Sequence, residues 1–584
     1  MINPKSINDR EKLNILKVKL KYFFRRTSLR GKDAQSAGDQ ILDNHIYISK
    51  DFPVHHIHNI DDMWKLSAQN LNTYKSYLYG LQPIGYLNNA FEYTKNKKYL
   101  LKGIEIMISW LNTGELNKYD SLVWYEFSVS NRVITLIELL QHCLQAGLTL
   151  PQHAKIKVID SLINYANFLS NDSNYVNNNH GVIQDRALLE ISCLFAGHDF
   201  SQNWQNKALQ RLSKQFRKAF NEESINVENS PFYHKYNIDL FSQSSHFLEY
   251  NGIIAKNLLR EEFRIKIKKA INAHQEMLKP DQSLPLIGDT EVQKFPAKYK
   301  NKSIVYPNTG LVFFKNDRCY ISLKSGYTNL SHKHFDDLSF TVFYDNKDIL
   351  IDCGKYNYVP NDKFRNYLKS VLAHNTISLN QSNYPLNNPA KTGIHEYKLQ
   401  TEFEYVIMYN YLYNKIKLVR YFIYIKPNLI IIIDKANNSA KQINLFNQSF
   451  NINGDFSVAD LSEYRTLFTA KNSNHQVTII QNIPVRNYQF FYNDKKNVRG
   501  LASEKFGELK PANHLSFINE TGKHGEMVFL TSILFTSNNN DEIIDHTITK
   551  IDNNTLKISC KYNHKSDSVY TWNALSNNKI VKSR

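Results

Sequence analysis

Cysteine is scarce in this chain: five among 584 residues, Cys143, Cys193, Cys319, Cys353 and Cys560, with no CxxC pair. An odd, scattered set excludes a disulfide framework and a thiolate zinc site. Long apolar runs are missing too. No stretch approaches the ~18 to 20 residues that a bilayer-spanning helix needs. Near the N-terminus, LNILKVKLKYFFRR has lysines where a secretory signal keeps an unbroken apolar core. As written the chain is expected to be cytoplasmic, with periplasmic or secreted placement left open. Acidic residues are outnumbered, 54 against 72 lysines and arginines, for a formal net charge of +18 and a pI of about 9.3. Such a field attracts polyanions: acidic polysaccharide, nucleic acid or an anionic membrane surface. Zinc-finger spacing, an RNP-type aromatic motif and a P-loop are all absent, which sets nucleic acid aside.

What the chain does have is core-forming material, 42% hydrophobic and 13% aromatic, enough for two or three domains. Its 36 tyrosines and 33 phenylalanines suit either a groove that stacks sugar rings or a large core. Apolar residues recur at helical spacing from about 58 to 290, as in NKKYLLKGIEIMISWLNT, YEFSVSNRVITLIELLQHCLQAG and GVIQDRALLEISCLFAG. Successive antiparallel helices over more than 200 residues predict an α/α toroid or solenoid. From about 303 onward GLVFFKN, CYISLKSG, PNLIIIID, HQVTIIQNI and EMVFLTSILFTS alternate or run apolar between turns, predicting a large antiparallel β-sandwich. PNLIIIID reads as a strand buried on both faces, and 505–525 as a loop excursion. The expected division is a basic leader over 1–57, partly disordered or peripheral, an α/α toroid over 58–300 and a sandwich over 301–584. Within the leader, Lys17, Lys19, Lys21, Arg25, Arg26 and Arg30 form either an arm for a membrane surface or partner, or a solvated segment.

One stretch concentrates chemistry. His332, His334 and Asp336 alternate in SHKHFDD, and on a strand alternate side chains share a face. DILIDCGKY delivers Asp352 at a strand end, with Cys353 turned to the core, and AHNT brings His374 near the start of another strand. Two imidazoles and a carboxylate can close on zinc; a half-exposed strand face explains the alternation equally well. In the helical part, Trp124 and Arg132 of SLVWYEFSVSNR offer a stacking ring and a carboxylate partner, or a core tryptophan and an ordinary arginine. NYVNNNHGVIQD forms a helix start, whose N–H groups also suit an anion. ENSPFYHKYNIDLF sets Tyr233, His234 and Tyr236 after a turn at Pro231.

HxHxD-LSF, a D-x-G-x-Y-x-Y turn and a later aHNT, preceded by NNH and a YH turn some fifty residues on, resemble the heparinase II/III-like polysaccharide lyases. The resemblance is strongest over about 120–380. It implies a zinc-containing lyase that cleaves a uronic-acid glycan by β-elimination, leaving unsaturated uronate ends. Heparosan or heparan sulfate is the leading substrate, and alginate-like or capsular uronates are the alternative. Residue by residue, it implies that Asn179 and His180 neutralise the uronate carboxylate, that Tyr233 is the catalytic tyrosine and that His332 reaches into the cleft. It also makes His334, Asp352 and His374 the ligands of a structural zinc. Tyr236, Tyr358 and Arg365 join Trp124 and Arg132 as expected substrate contacts. Lys369 stands where a second arginine is expected, and Ile183 and Gln184 where some members carry an acid. Two other classes remain open. A toroid glycoside hydrolase would need two carboxylates, for which only Asp185 and Glu126 offer themselves. A non-catalytic glycan-binding protein of capsule assembly would not need Tyr233 and His332 together.

Overall fold

The computed structural model describes residues 2–50, 52–67, 71–113, 121–253, 259–440, 443–521, 524–537, 542–552, 555–562, 566–573 and 579–583. The chain divides into two compact units, one of Met1–Ala219 with Tyr236–Lys268 and the other of Phe220–Lys235 with Lys269–Arg584.

The first unit is helical. Gly31–Leu42 packs on Gln82–Thr94, which packs on Lys98–Asn112 and Glu126–Ala146, and the last of these packs on Asn179–Leu194, which in turn meets Asp199–Ala219. Glu126–Ala146 is buried almost all round, from Ser128 to Cys143, which places it inside the array with Asn131, Arg132, Glu138 and Gln141 buried among its Val, Ile and Leu side chains. The expected basic leader is not free. Lys17, Lys19, Lys21 and Arg25 point outward while Leu20 and Phe24 are buried. That period of two is an extended strap. Its backbone N–H groups at Leu20, Phe24 and Arg26 donate to Gln141, Glu190 and Glu138 at 2.9, 2.6 and 3.1 Å. Buried side chains thus replace the ladder partners that an isolated strand lacks. Among the described residues no helix is long and apolar enough to cross a membrane.

The second unit is antiparallel β. Its eight-stranded sheet has Leu429–Asn438 between Ile416–Ile425 and Glu526–Thr536, and its ten-stranded sheet runs from Asn487–Tyr492 to Ile304–Tyr306. The run LIIII sits on both faces of the first sheet. Ile430 and Ile432 join the core shared with the ten-stranded sheet, including Phe340 and Phe450. Leu429, Ile431 and Ile433 pack instead against Ile558 and Tyr570 of a four-stranded sheet. This is the doubly buried strand that the sequence predicts. The expected loop at 505–525 is a correction: Lys510–Thr521 is a strand paired with Asn444–Asn453 along ten residue pairs. Asn513, His514, Ser516 and Thr521 are buried, as where the Asn513 amide donates to the Phe456 carbonyl at 2.9 Å. Polarity hid the strand period.

Candidate active site and metal centre

In the first unit, Asn178 caps the helix Asn179–Leu194, its side chain accepting from the His180 N–H at 2.8 Å. Gly181 lets this start pack closely, since a Cβ there would lie 2.1 Å from the Val176 carbonyl. Asn179, the first helical residue, is half-buried. Next to it the His180 ring donates through Nδ1 to Glu126 Oε1 at 3.2 Å and lies 4.7 Å from the Phe127 ring. Glu126 is thereby engaged as the support of a histidine. Asp185, the other carboxylate singled out for hydrolysis, is fully buried and accepts from the Tyr175 hydroxyl at 2.8 Å.

Arg132 departs from its expected role. It is 0% exposed, donates to the Tyr79 and Val123 carbonyls at 3.0 and 2.9 Å, and lies 4.7 Å from both the Trp110 and Tyr165 rings. A guanidinium so enclosed ties chain segments together and is out of reach of a substrate. Trp124 is half-buried against Tyr165 and Phe168. Tyr236 is half-buried, where its hydroxyl faces the charges of Arg26 and Arg186.

The second unit assembles the remaining residues. Tyr233 lies in the first turn of the helix Pro231–Tyr250, its N–H on Ser230 Oγ at 3.4 Å, so a helix start stands where the sequence suggested only a turn. Its ring stacks on His332, with centroids 3.4 Å apart and planes 13° apart, and its hydroxyl is 3.0 Å from that of Tyr358. The Arg365 guanidinium covers the Tyr358 ring at 4.8 Å and donates to the Asn357 carbonyl. Burial first, then the negative charge of Asp289, raises the Tyr358 pKa, and either hydroxyl of the Tyr233–Tyr358 pair can donate to the other.

SHKHFDD is not a strand. It is a turn ahead of Ser339–Tyr344, with His332 at φ +56°, and Asp336 pairs with Lys333 in the interior instead of sharing a face with the histidines. The two histidines meet through a residue that spacing did not reveal. Asp289 accepts from His332 Nδ1 at 2.9 Å and from His334 Nε2 at 3.0 Å. On the far side of His332, Nε2 lies 3.3 Å from Glu228 Oε2. Burial alone would lower the His332 pKa, but Asp289 and Glu228 outweigh it and raise it. Asp289 and Glu228 belong to segments remote from the motif; the only sign in the sequence is a GD turn and a short acidic loop before Pro231.

His334, Asp352 and His374 are all buried, with candidate ligand atoms within 4.8 Å of one another. Their donors fit a cation. His374 Nδ1 donates to the Ser370 carbonyl at 2.7 Å, leaving Nε2 without a hydrogen-bond partner among the described residues, and His334 Nδ1 is likewise without one. Two buried imidazole nitrogens lacking a proton partner beside a carboxylate make a ligand set typical of zinc. Burial pushes the Asp352 carboxyl up to about 7, a cost that a bound cation would reverse. Asn375 and Arg420 hold the ligands in place. Asn375 donates to the Phe340 and Ile351 carbonyls at 2.6 and 3.1 Å, and Arg420, paired with Asp434, donates to the Leu338 and Asn375 carbonyls at 2.6 Å each.

His234, adjacent to Tyr233, is structural. It is buried, accepts from the Asn226 N–H through Nδ1 at 3.0 Å and donates through Nε2 to the Ala270 carbonyl at 2.9 Å. Burial lowers its pKa from 6.5 to about 4, so the native state holds it neutral. Its contribution to stability is complete above the unfolded value and is lost as pH falls toward the folded one. We expect His234→Gln, which keeps an acceptor and a donor, to flatten the decline in melting temperature between pH 7 and about pH 5. Melting curves of both proteins at the two pH values check this; parallel declines would contradict it.

The chain matches the family description "Heparinase II/III N-terminus" over residues 10–314 and "Heparinase II/III-like, C-terminal" over residues 299–531. It is 20% identical over 399 residues to a heparin-sulfate lyase of Pedobacter heparinus, covering 60% of this chain and 58% of that protein. That span is less than two thirds of the relative. A solved heparinase III has a TM-score of 0.78 at 15% identity, with 97% of this chain and 95% of that one covered. Heparan sulfate lyase HepC from Pedobacter heparinus has a TM-score of 0.69 at 17% identity, covering 96% and 93%. At these identities the solved structures speak for the fold, an α/α toroid followed by an antiparallel β-sandwich.

Proposed function

Because the chain belongs to the heparinase II/III family, we propose that it is a polysaccharide lyase that cleaves a uronic-acid glycan by β-elimination. Heparosan or heparan sulfate is the leading substrate class, in keeping with the heparin-sulfate lyase relative and with the net charge of +18. The observation that carries the reading is the Tyr233–His332 stack with Tyr358 on the Tyr233 oxygen.

Removing a C5 proton beside a charged carboxylate is hard because negative charge accumulates in the enolate-like intermediate. Asn179 and His180 donate hydrogen bonds to that carboxylate, the role of an oxyanion hole. Tyr233, stacked on the His332 imidazole with its oxygen 3.0 Å from the Tyr358 hydroxyl, takes the C5 proton. It then returns that proton to the departing O4, so the bond to the C4-linked sugar breaks as the C4–C5 double bond forms. Tyr358 and Arg365 line the approach. His334, Asp352 and His374 would hold zinc, which when bound supplies a fixed charge that braces these loops.

The test is ultraviolet absorbance of the new double bond across a panel of heparosan, heparan sulfate, alginate and capsular uronates. The largest rate is expected on the glycosaminoglycans. A faster rate on alginate would reassign the substrate, and binding or saturated products without absorbance would overturn the lyase reading.

A further inference from the structure

The loop Ile287–Thr290 stands at the meeting point of the second unit's functional segments. Gly288, at φ +57°, passes so close to two of them that a Cβ would lie 2.6 Å from the Asn229 carbonyl and 2.7 Å from the His332 carbonyl. Thr290 Oγ1 bonds Ser230 Oγ at 2.8 Å, and Ser230 starts the helix that carries Tyr233. Between them, Asp289 is 2% exposed and has one carboxylate oxygen on each histidine.

The direction of these bonds matters. A carboxylate only accepts, so His334 donates through Nε2, which leaves Nδ1, without a hydrogen-bond partner among the described residues, as the nitrogen available to a cation shared with Asp352 and His374. His332 donates through Nδ1, which sets the plane that stacks on Tyr233. One carboxylate therefore orients a candidate metal ligand and the histidine at the reacting tyrosine.

We propose that Asp289 is a positioning residue that couples occupancy of the His334–Asp352–His374 site to the placement of His332 against Tyr233. This rests on the lyase reading for its catalytic limb only. Were a cation held through His334 Nδ1, the Nε2–H donor would strengthen and the ring would be fixed, and through that ring Asp289 and then His332 would be held in place. Asparagine at this position can accept from one histidine but presents its NH₂ to the N–H of the other, so one of the two contacts is lost.

The experiment uses the full chain loaded with zinc. Asp289→Asn is expected to lose zinc to a competing chelator with about ten- to hundredfold weaker affinity. When zinc-saturated, it is expected to show kcat lowered by at least about tenfold, with KM within about twofold. Asp289→Glu, which keeps two acceptors, is expected to retain zinc better than Asp289→Asn. Zinc retention equal to the parent overturns the assignment, and because it is read without substrate it does so even where no uronate polymer is cleaved. Weakened retention with parental kcat at saturation also overturns it. Should Asp289→Asn fail to fold, stripping zinc from the unmodified protein is the substitute. It is expected to lower kcat with little change in KM, reversibly on zinc addition, and unchanged turnover of the stripped protein overturns the coupling.

Discussion

Tyr233→Phe is expected to lower kcat by roughly a hundredfold to ten-thousandfold, the range of a lost proton-transfer group. The substitution removes one oxygen and keeps the ring, so the stack on His332, with centroids 3.4 Å apart, survives and the helix start at Ser230 is untouched. What disappears is the atom 3.0 Å from the Tyr358 hydroxyl, which in the proposed mechanism takes and returns the proton. KM and melting temperature are therefore expected to stay close to the parent. Initial rates by ultraviolet absorbance, with a melting curve on the same samples, decide the matter. Turnover within a few-fold of the parent would remove Tyr233 from the chemistry.

Asn179→Ala should cost about a hundredfold to a thousandfold in kcat, as loss of one donor to a developing oxyanion does. The neighbouring position supplies the control. Asn178 holds the helix cap through its bond to the His180 N–H at 2.8 Å, so Asn178→Ala is expected to cost about 1 kcal/mol of stability with little effect on rate. Side-chain amides one residue apart thus have opposite signatures. A slow Asn178→Ala beside an active Asn179→Ala would reverse the assignment.

Legibility in the sequence followed the physics of each element. PNLIIIID was readable because a strand buried on both faces has no polar partner to disguise it. Asn179–Leu194 was readable because its cap and its apolar run adjoin. Asp199–Ala219 buries Trp204, Ala208, Leu212 and Phe216 at intervals of four, but the charged residues between them mask the stripe. Lys510–Thr521 was hidden by buried polar side chains that find partners only in three dimensions. Ligand types at strand ends point to the cluster of His334, Asp352 and His374, but the alternation in HxHxD is not a strand face. The two histidines converge because a turn with His332 at φ +56° wraps both around Asp289. Arg132 misled for the opposite reason. Charge suggests a ligand contact, whereas its two terminal nitrogens donate to carbonyls in the helical core.

The most direct measurement is digestion of heparosan in water labelled with heavy oxygen, followed by mass spectrometry of the fragments. Elimination adds no water across the broken bond, so the new chain ends should carry the ultraviolet-absorbing double bond and no label incorporated at cleavage. Fragments that take up one labelled oxygen per cleavage and lack the absorbance would contradict the account.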